Sequence, residues 1–247
     1  MPRLSPRYTA LAGLSAAVFA WNIGCVGPLA GRASDEWTHT YPLEAGGEVE
    51  IINTNGTIDV QPADGSKVEV RAERIAKATS DDGARELLPR IAITEQTSAN
   101  HVTVRTEGLG GMMIGASVEV RYHVKAPRTV AVRARNTNGQ VTITGMAGPI
   151  VAHTTNGAVV MDLDAVAQKV EAATTNGAVT LTLPSDAKAD LTATVTNGAI
   201  SVSGLKLETT EQSRRRVEGK INGGGPPVEL HTTNGGVRIR AKGSSSS

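Results

Sequence analysis

The sequence predicts an all-β fold: a single-domain, β-helix-like β-solenoid of stacked two-strand coils, with one short helix in an irregular N-terminal part. Three observations lead there. Thr-Asn-Gly occurs six times, with its Asn-Gly pairs at Asn55-Gly56, Asn138-Gly139, Asn156-Gly157, Asn176-Gly177, Asn197-Gly198 and Asn234-Gly235. Both flanks of every corner alternate apolar and polar residues. Two and four residues after the Gly stand pairs such as Val141/Ile143, Val159/Met161 and Val179/Leu181. Six and four before the Asn stand pairs such as Val132/Ala134, Ile150/Ala152 and Val170/Ala172. This is strand, corner, strand with one face buried. Finally, aromatics are only 2% of the chain and glycines number 27, a composition suited to a thin, layered core of small and β-branched side chains.

Asn-Gly suits a corner because both residues tolerate positive φ. Two architectures accept such corners: a type I′ hairpin repeated as a meander, or a coil in which the two strands join different sheets. Ala134, Ala152, Ala172 and Ala193 hold one register position in four successive units, which favours stacked coils with a single small-residue column. The asparagines would then form a ladder of amide hydrogen bonds. Successive asparagines from Asn138 are 18, 20, 21 and 37 residues apart, the last being close to two periods.

Taken in order, residues 1–24 read as a signal peptide of the lipoprotein type: Arg3 and Arg7 precede a short stretch of apolar and small residues, too short for a comfortable membrane span. The single cysteine, Cys25, closes that stretch after Gly24 and is the expected lipid-attachment residue; cleavage near Ala33 is the alternative. Residues 25–44 read as linker and 45–241 as the repeat domain. Within it, 61–130 is irregular. It holds strands at Val68–Ala72, Ile91–Thr94, His101–Val104 and Val118–Tyr122, and a short helix capped by Ser80 and stopped near Pro89. Regular repeats fill 131–241, and the Ser-rich 242–247 is a disordered tail.

From Val118 to Pro127, then Val130 to Gly139, then the serial Thr-Asn-Gly units and Gly219–Gly225, the chain resembles a large bacterial family of adhesin-like proteins of unknown function. The resemblance covers residues 45–241. It implies a β-solenoid fold and an envelope location, often as a lipoprotein, with no established reaction and no catalytic residues.

Composition and local pattern agree with that expectation. Without residues 1–24 the chain carries 23 basic and 24 acidic residues, so no field of one sign steers nucleic acid toward it. His39, His101, His123, His153 and His231 lack metal-ligand spacing, so no metal or cofactor is expected. Asp162 and Asp164 share a strand face but lack a third acid. The glycine-rich Gly108–Gly115 opens onto no helix and reads as a loop, and Arg214-Arg215-Arg216 as a solvated one. The expected function is a non-catalytic interaction module of the cell envelope, anchored to a membrane by lipid, meeting an unknown envelope protein or polysaccharide. The alternatives are a component of an envelope-stress signalling system and a polysaccharide-active β-helix enzyme.

Overall fold

The computed structural model describes residues 29–107 and 115–243. The chain forms β1 (Gly31–Pro42), β2 (Glu48–Asn55), β3 (Ile58–Ala63), β4 (Lys67–Ala78), α1 (Asp81–Leu87), a 3-10 turn (Leu88–Arg90), β5 (Ala92–Thr97), β6 (His101–Glu107) and β7 (Ala116–Pro127). Four units follow, β8 (Ala131–Asn138) with β9 (Val141–Thr144), β10 (Ile150–Asn156) with β11 (Val159–Asp162), β12 (Val170–Asn176) with β13 (Val179–Leu183), and β14 (Ala189–Asn197) with β15 (Ile200–Ser203). After the hairpin β16 (Leu207–Gln212) and β17 (Arg216–Ile221) comes a last unit, β18 (Pro227–Asn234) with β19 (Val237–Ala241).

These strands make two sheets, and neither closes into a barrel. One runs β1-β4-β7-β3-β9-β11-β13-β19-β15, the other β16-β17-β14-β18-β12-β10-β8-β2-β6-β5. Each Thr-Asn-Gly unit puts its first strand in the ten-stranded sheet and its second in the nine-stranded one. Equivalent strands pair in parallel and in register, Val159 opposite both Val141 and Val179, and Ala152 opposite both Ala134 and Ala172. The strands flanking a corner therefore pair with neighbouring units and not with each other, which rules out the hairpin alternative.

The alternation now has its cause. The apolar positions before each corner are buried in all six units, and those after it in five. Ile200 and Val202, on the edge strand β15, stay half-buried. The small-residue column is interrupted, because the last unit sits inside the stack: β18 lies between β12 and β14, and Leu230 separates Ala172 from Ala193. The 37-residue spacing reflects the β16–β17 hairpin, which extends the ten-stranded sheet beyond β14 in antiparallel fashion.

The irregular part covers the other end. β7 joins β3 in parallel, β4 then pairs antiparallel with β7, and on the opposite sheet β5 pairs antiparallel with β6. Ser80 caps α1 by accepting from the Gly83 N–H at 3.2 Å, and Asp81 and Asp82 favour the positive end of the helix. The helix buries Ala84 and packs on β1 and β4. Residues 31–42, read from the sequence as linker, are instead the outermost strand β1, paired with β4 along twelve positions. An edge strand buries little of one face, so its apolar residues are too sparse to announce it.

Candidate functional site

The six corners stack into one ridge along the domain. Within it the asparagine amides form a continuous ladder in the spatial order Asn55, Asn138, Asn156, Asn176, Asn234, Asn197. Each Nδ2 donates to the Oδ1 of the rung on the Asn55 side, at 2.8–2.9 Å. Every amide dipole thus points the same way, an arrangement in which successive bonds strengthen one another. Among the described residues only Asn222 is a non-glycine with positive φ, so no corner asparagine uses that freedom. Five of the six corner glycines do have positive φ, and close approach requires glycine as well. A Cβ on Gly139 would lie 1.8 Å from the Gly56 carbonyl oxygen, and one on Gly177, whose φ is not positive, 1.9 Å from that of Gly157.

A further polar column lies two residues before each asparagine. The side chains of Asn53, Asn136, Thr154, Thr174 and Thr232 point inward and donate to the carbonyls of Val120, Gly56, Gly139, Gly157 and Gly177 at 2.7–3.0 Å. Val195 takes this place in the end unit. The sequence reading passed over this column, although its signal was present: the positions continue the inward phase of the alternation yet are polar in five units of six. Thr174→Val keeps the shape and leaves the Gly157 carbonyl without its side-chain donor. It is expected to cost about 1–2 kcal/mol, read from urea unfolding midpoints.

Between these columns the six threonines Thr54, Thr137, Thr155, Thr175, Thr196 and Thr233 point outward. Five are exposed and Thr233 is half-exposed. No hydroxyl among them makes a hydrogen bond within the described residues. Other outward positions vary from unit to unit: three residues before the asparagine stand Ile52, Arg135, His153, Ala173, His231 and Thr194 in stack order. The ridge therefore presents a uniform row of unused hydroxyls at the strand repeat of about 4.8 Å.

The remaining polar residues form local pairs. On the ten-stranded sheet Arg133 meets Glu48 at 3.2 Å, and Lys169 bridges Glu171 and Glu229 at 3.2 and 3.1 Å. Burial pushes the Glu171 carboxyl up, but bonds from Lys169 and His153 hold it below its ordinary value. His153 reaches Glu171 at 3.1 Å and His231 reaches Thr194 at 2.9 Å, with Ala173 between the two histidines in register, so they do not meet. Lys242 contacts Asp162 and Asp164 at 2.9 and 2.8 Å, and Arg128 also pairs with Asp164. Lys242 first and Arg128 second hold the Asp164 carboxyl below its ordinary value. Asp164 is thereby held as a carboxylate by its cationic partners, the opposite of the raised pKa of a general acid. Arg216 pairs with Glu211 and Glu218, while the Arg214 and Arg215 carbonyls accept from the Ile200 and Val195 N–H groups.

At the other end, Trp37 stacks on His39 with ring centres 4.5 Å apart, and Tyr41 donates to Glu95 at 2.5 Å, joining the edge strands β1 and β5 of the two sheets. Burial raises Glu95, yet the bonds from Tyr41 and His39 leave it below its usual range, while burial and Glu95 push the Tyr41 phenol up. A cleft of about 680 Å³ beside Tyr41 is lined by one carboxylate, Glu44. Among the described residues no cluster of three or more His, Cys, Asp or Glu could hold a metal, and no helix is long and apolar enough to cross a membrane. Cys25 and residues 108–114 of the glycine-rich segment lie outside the described residues.

The fold has known counterparts. A "putative cell adhesion protein" from Clostridium sporogenes superposes with a TM-score of 0.51 at 12% identity, covering 84% of this chain and all of that one. A "putative adhesin" from Bacteroides fragilis gives 0.31 at 12% identity, covering 84% and 97%. At such identity the first likeness speaks to fold alone, and the second carries no argument. No curated protein gives a significant sequence match. A family model does match, over a shorter span than 45–241. Residues 123–240, which hold five of the six Thr-Asn-Gly units, match the Toastrack DUF4097 family, and the family resemblance read from those units holds.

Proposed function

We propose that this chain is a non-catalytic, adhesin-like interaction module of the cell envelope: a β-solenoid held to a membrane by a lipid on Cys25, its ridge turned toward an envelope protein or polysaccharide. The observation that carries the reading is the row of six outward threonines. The ladder, the inward polar column and the glycines account for the corner without them, since their hydroxyls bond nothing among the described residues. A residue type kept in every unit, where neighbouring outward positions vary, supports a surface used as a whole. In-register stacking makes that surface rigid, so a partner that lies along it loses no freedom of the ridge on binding. The name of the Clostridium sporogenes structure leans the same way.

The test compares the exported chain with a variant carrying Thr137→Ala, Thr155→Ala, Thr175→Ala and Thr196→Ala, matched for thermal stability, in sedimentation with isolated envelope polysaccharide and with envelope membranes. Retention of the parent and release of the variant are expected. Equal retention of both, or of neither, overturns the ridge as the contact surface. Intact mass of membrane-borne protein tests the anchor: a chain beginning at Cys25 with added acyl mass is expected, and a soluble chain unchanged by Cys25→Ser removes it.

A further inference from the structure

We infer that Asn197-Gly198 is a self-modification site, the corner at which this protein converts an asparagine to aspartate and isoaspartate through a cyclic imide. The reaction needs the backbone nitrogen of the following residue to reach the side-chain amide carbon. It is therefore favoured by glycine, by a free N–H and by an unrestrained amide. All six corners offer the glycine.

Five of them withhold the nitrogen. Gly56, Gly139, Gly157, Gly177 and Gly235 each donate their N–H to the backbone carbonyl of the next rung's asparagine, at 2.7–2.9 Å. Gly198 belongs to the last rung of the stack, and its N–H has no partner among the described residues. The side chains divide the same way. The Oδ1 atoms of Asn55, Asn138, Asn156, Asn176 and Asn234 each accept from a neighbouring amide, whereas Asn197 donates to Asn234 and its own Oδ1 accepts nothing. Gly198 is exposed, and the other five corner glycines are half-buried. One further Asn-Gly pair, Asn222-Gly223, is restrained differently: the Asn222 amide nitrogen, which would have to leave, donates to the Ser185 and Ala187 carbonyls at 3.0 and 2.7 Å.

At Asn197 the Gly198 nitrogen forms a bond to Cγ, the Cγ–Nδ2 bond breaks, and Nδ2 leaves as ammonia with the proton that Gly198 gives up. Water then opens the five-membered imide at either carbonyl. Cleavage on the side-chain carbonyl yields aspartate, and cleavage on the main-chain carbonyl yields isoaspartate. The product lacks the donor that Asn197 offers Asn234 at 2.9 Å and sets a carboxylate against that carbonyl oxygen. The end rung loosens while the inner rungs keep their bonds.

The experiment incubates the full chain in heavy-oxygen water at mildly alkaline pH and follows all seven Asn-Gly pairs by peptide mapping, beside the same chain in denaturant. Every other corner must first open the N–H bond of its glycine and the ladder bond that its Oδ1 accepts, neither of which restrains Asn197, so Asn197 is expected to take up label at least roughly tenfold faster than any of them in the folded chain. Similar rates at all seven are expected in denaturant. Comparable labelling of the inner corners in the folded chain, fastest reaction at Asn222, no label at Asn197, or the same preference in denaturant would each overturn the assignment.

Discussion

Gly139→Ala is expected to destabilise the domain by about 3 kcal/mol or more. The new Cβ would lie 1.8 Å from the Gly56 carbonyl oxygen and 2.8 Å from its carbon, both backbone atoms that cannot rotate away. Relief requires the strands to part, and parting strains the amide ladder and the inward Asn136 bond to the same carbonyl. The control is Gly46→Ala. Its φ is 78°, with nothing within 4 Å of the new carbon, so it should cost only the left-handed backbone penalty of about 1–2 kcal/mol. Urea denaturation of both variants decides the matter. Equal losses would mean that backbone conformation and not close approach selects glycine at the corners.

Tyr122→Ala is expected to cost about 4 kcal/mol, because Tyr122 is fully buried and is the largest side chain in the core. Its hydroxyl bonds Thr106 at 2.7 Å, and Thr106 in turn donates to Asn53, so the ring links the irregular part to the first polar rung. Tyr122→Phe keeps the ring and should lose about 1 kcal/mol. The phenol also sets a pH dependence. Burial pushes it up to about 12, against smaller opposing pulls from Thr106 and Arg74. The unfolded chain ionises near 10 while the folded chain stays neutral. The stabilisation is therefore complete below about pH 10 and is lost as pH rises toward about 12, a decline of about 2–3 kcal/mol. Tyr122→Phe should flatten this decline, leaving the part due to Tyr41, whose phenol is also raised. An unchanged alkaline slope in Tyr122→Phe would remove Tyr122 as its source.

The layered all-β character was legible because alternation around Asn-Gly reports directly on which face is buried. Pairs such as Val159/Met161 could hardly have been read otherwise. Which strand pairs with which was less legible, since hairpins and stacked coils demand the same alternation; only Ala152 lying between Ala134 and Ala172 decides it. Leu230 could have hinted at the shuffled order of units, being large where the four preceding units carry alanine. The edge strand β1 was hidden for a different reason. Trp37 and Tyr41 sit among charged residues, and the bond that fastens Tyr41 joins it to Glu95, 54 residues away. For the ridge, positive φ does hold at five of the six corner glycines, and close approach adds a second requirement that no single residue announces. Positive φ is a property of one residue, whereas contact with the neighbouring carbonyl depends on a partner at least 18 residues distant, as with Gly157 and Gly139.

The placement of β18 and β19 between earlier units bears on how the molecule comes to be made. A chain emerging from its N-terminus completes the rungs up to Asn176 one on another, but the rung of Asn197 has no seat until residues 227–241 arrive to fill the gap beneath it. The array is therefore closed from within, by strands that follow in sequence the unit they support. Loss of that segment would remove an interior layer and leave raw edges on β12 and β14 in one sheet and on β13 and β15 in the other. Lengthening such an array by duplicating its final repeat would likewise fail, since the final repeat is not at the end. Arrival of β18 and β19, rather than addition of rungs in sequence order, is what locks the stack.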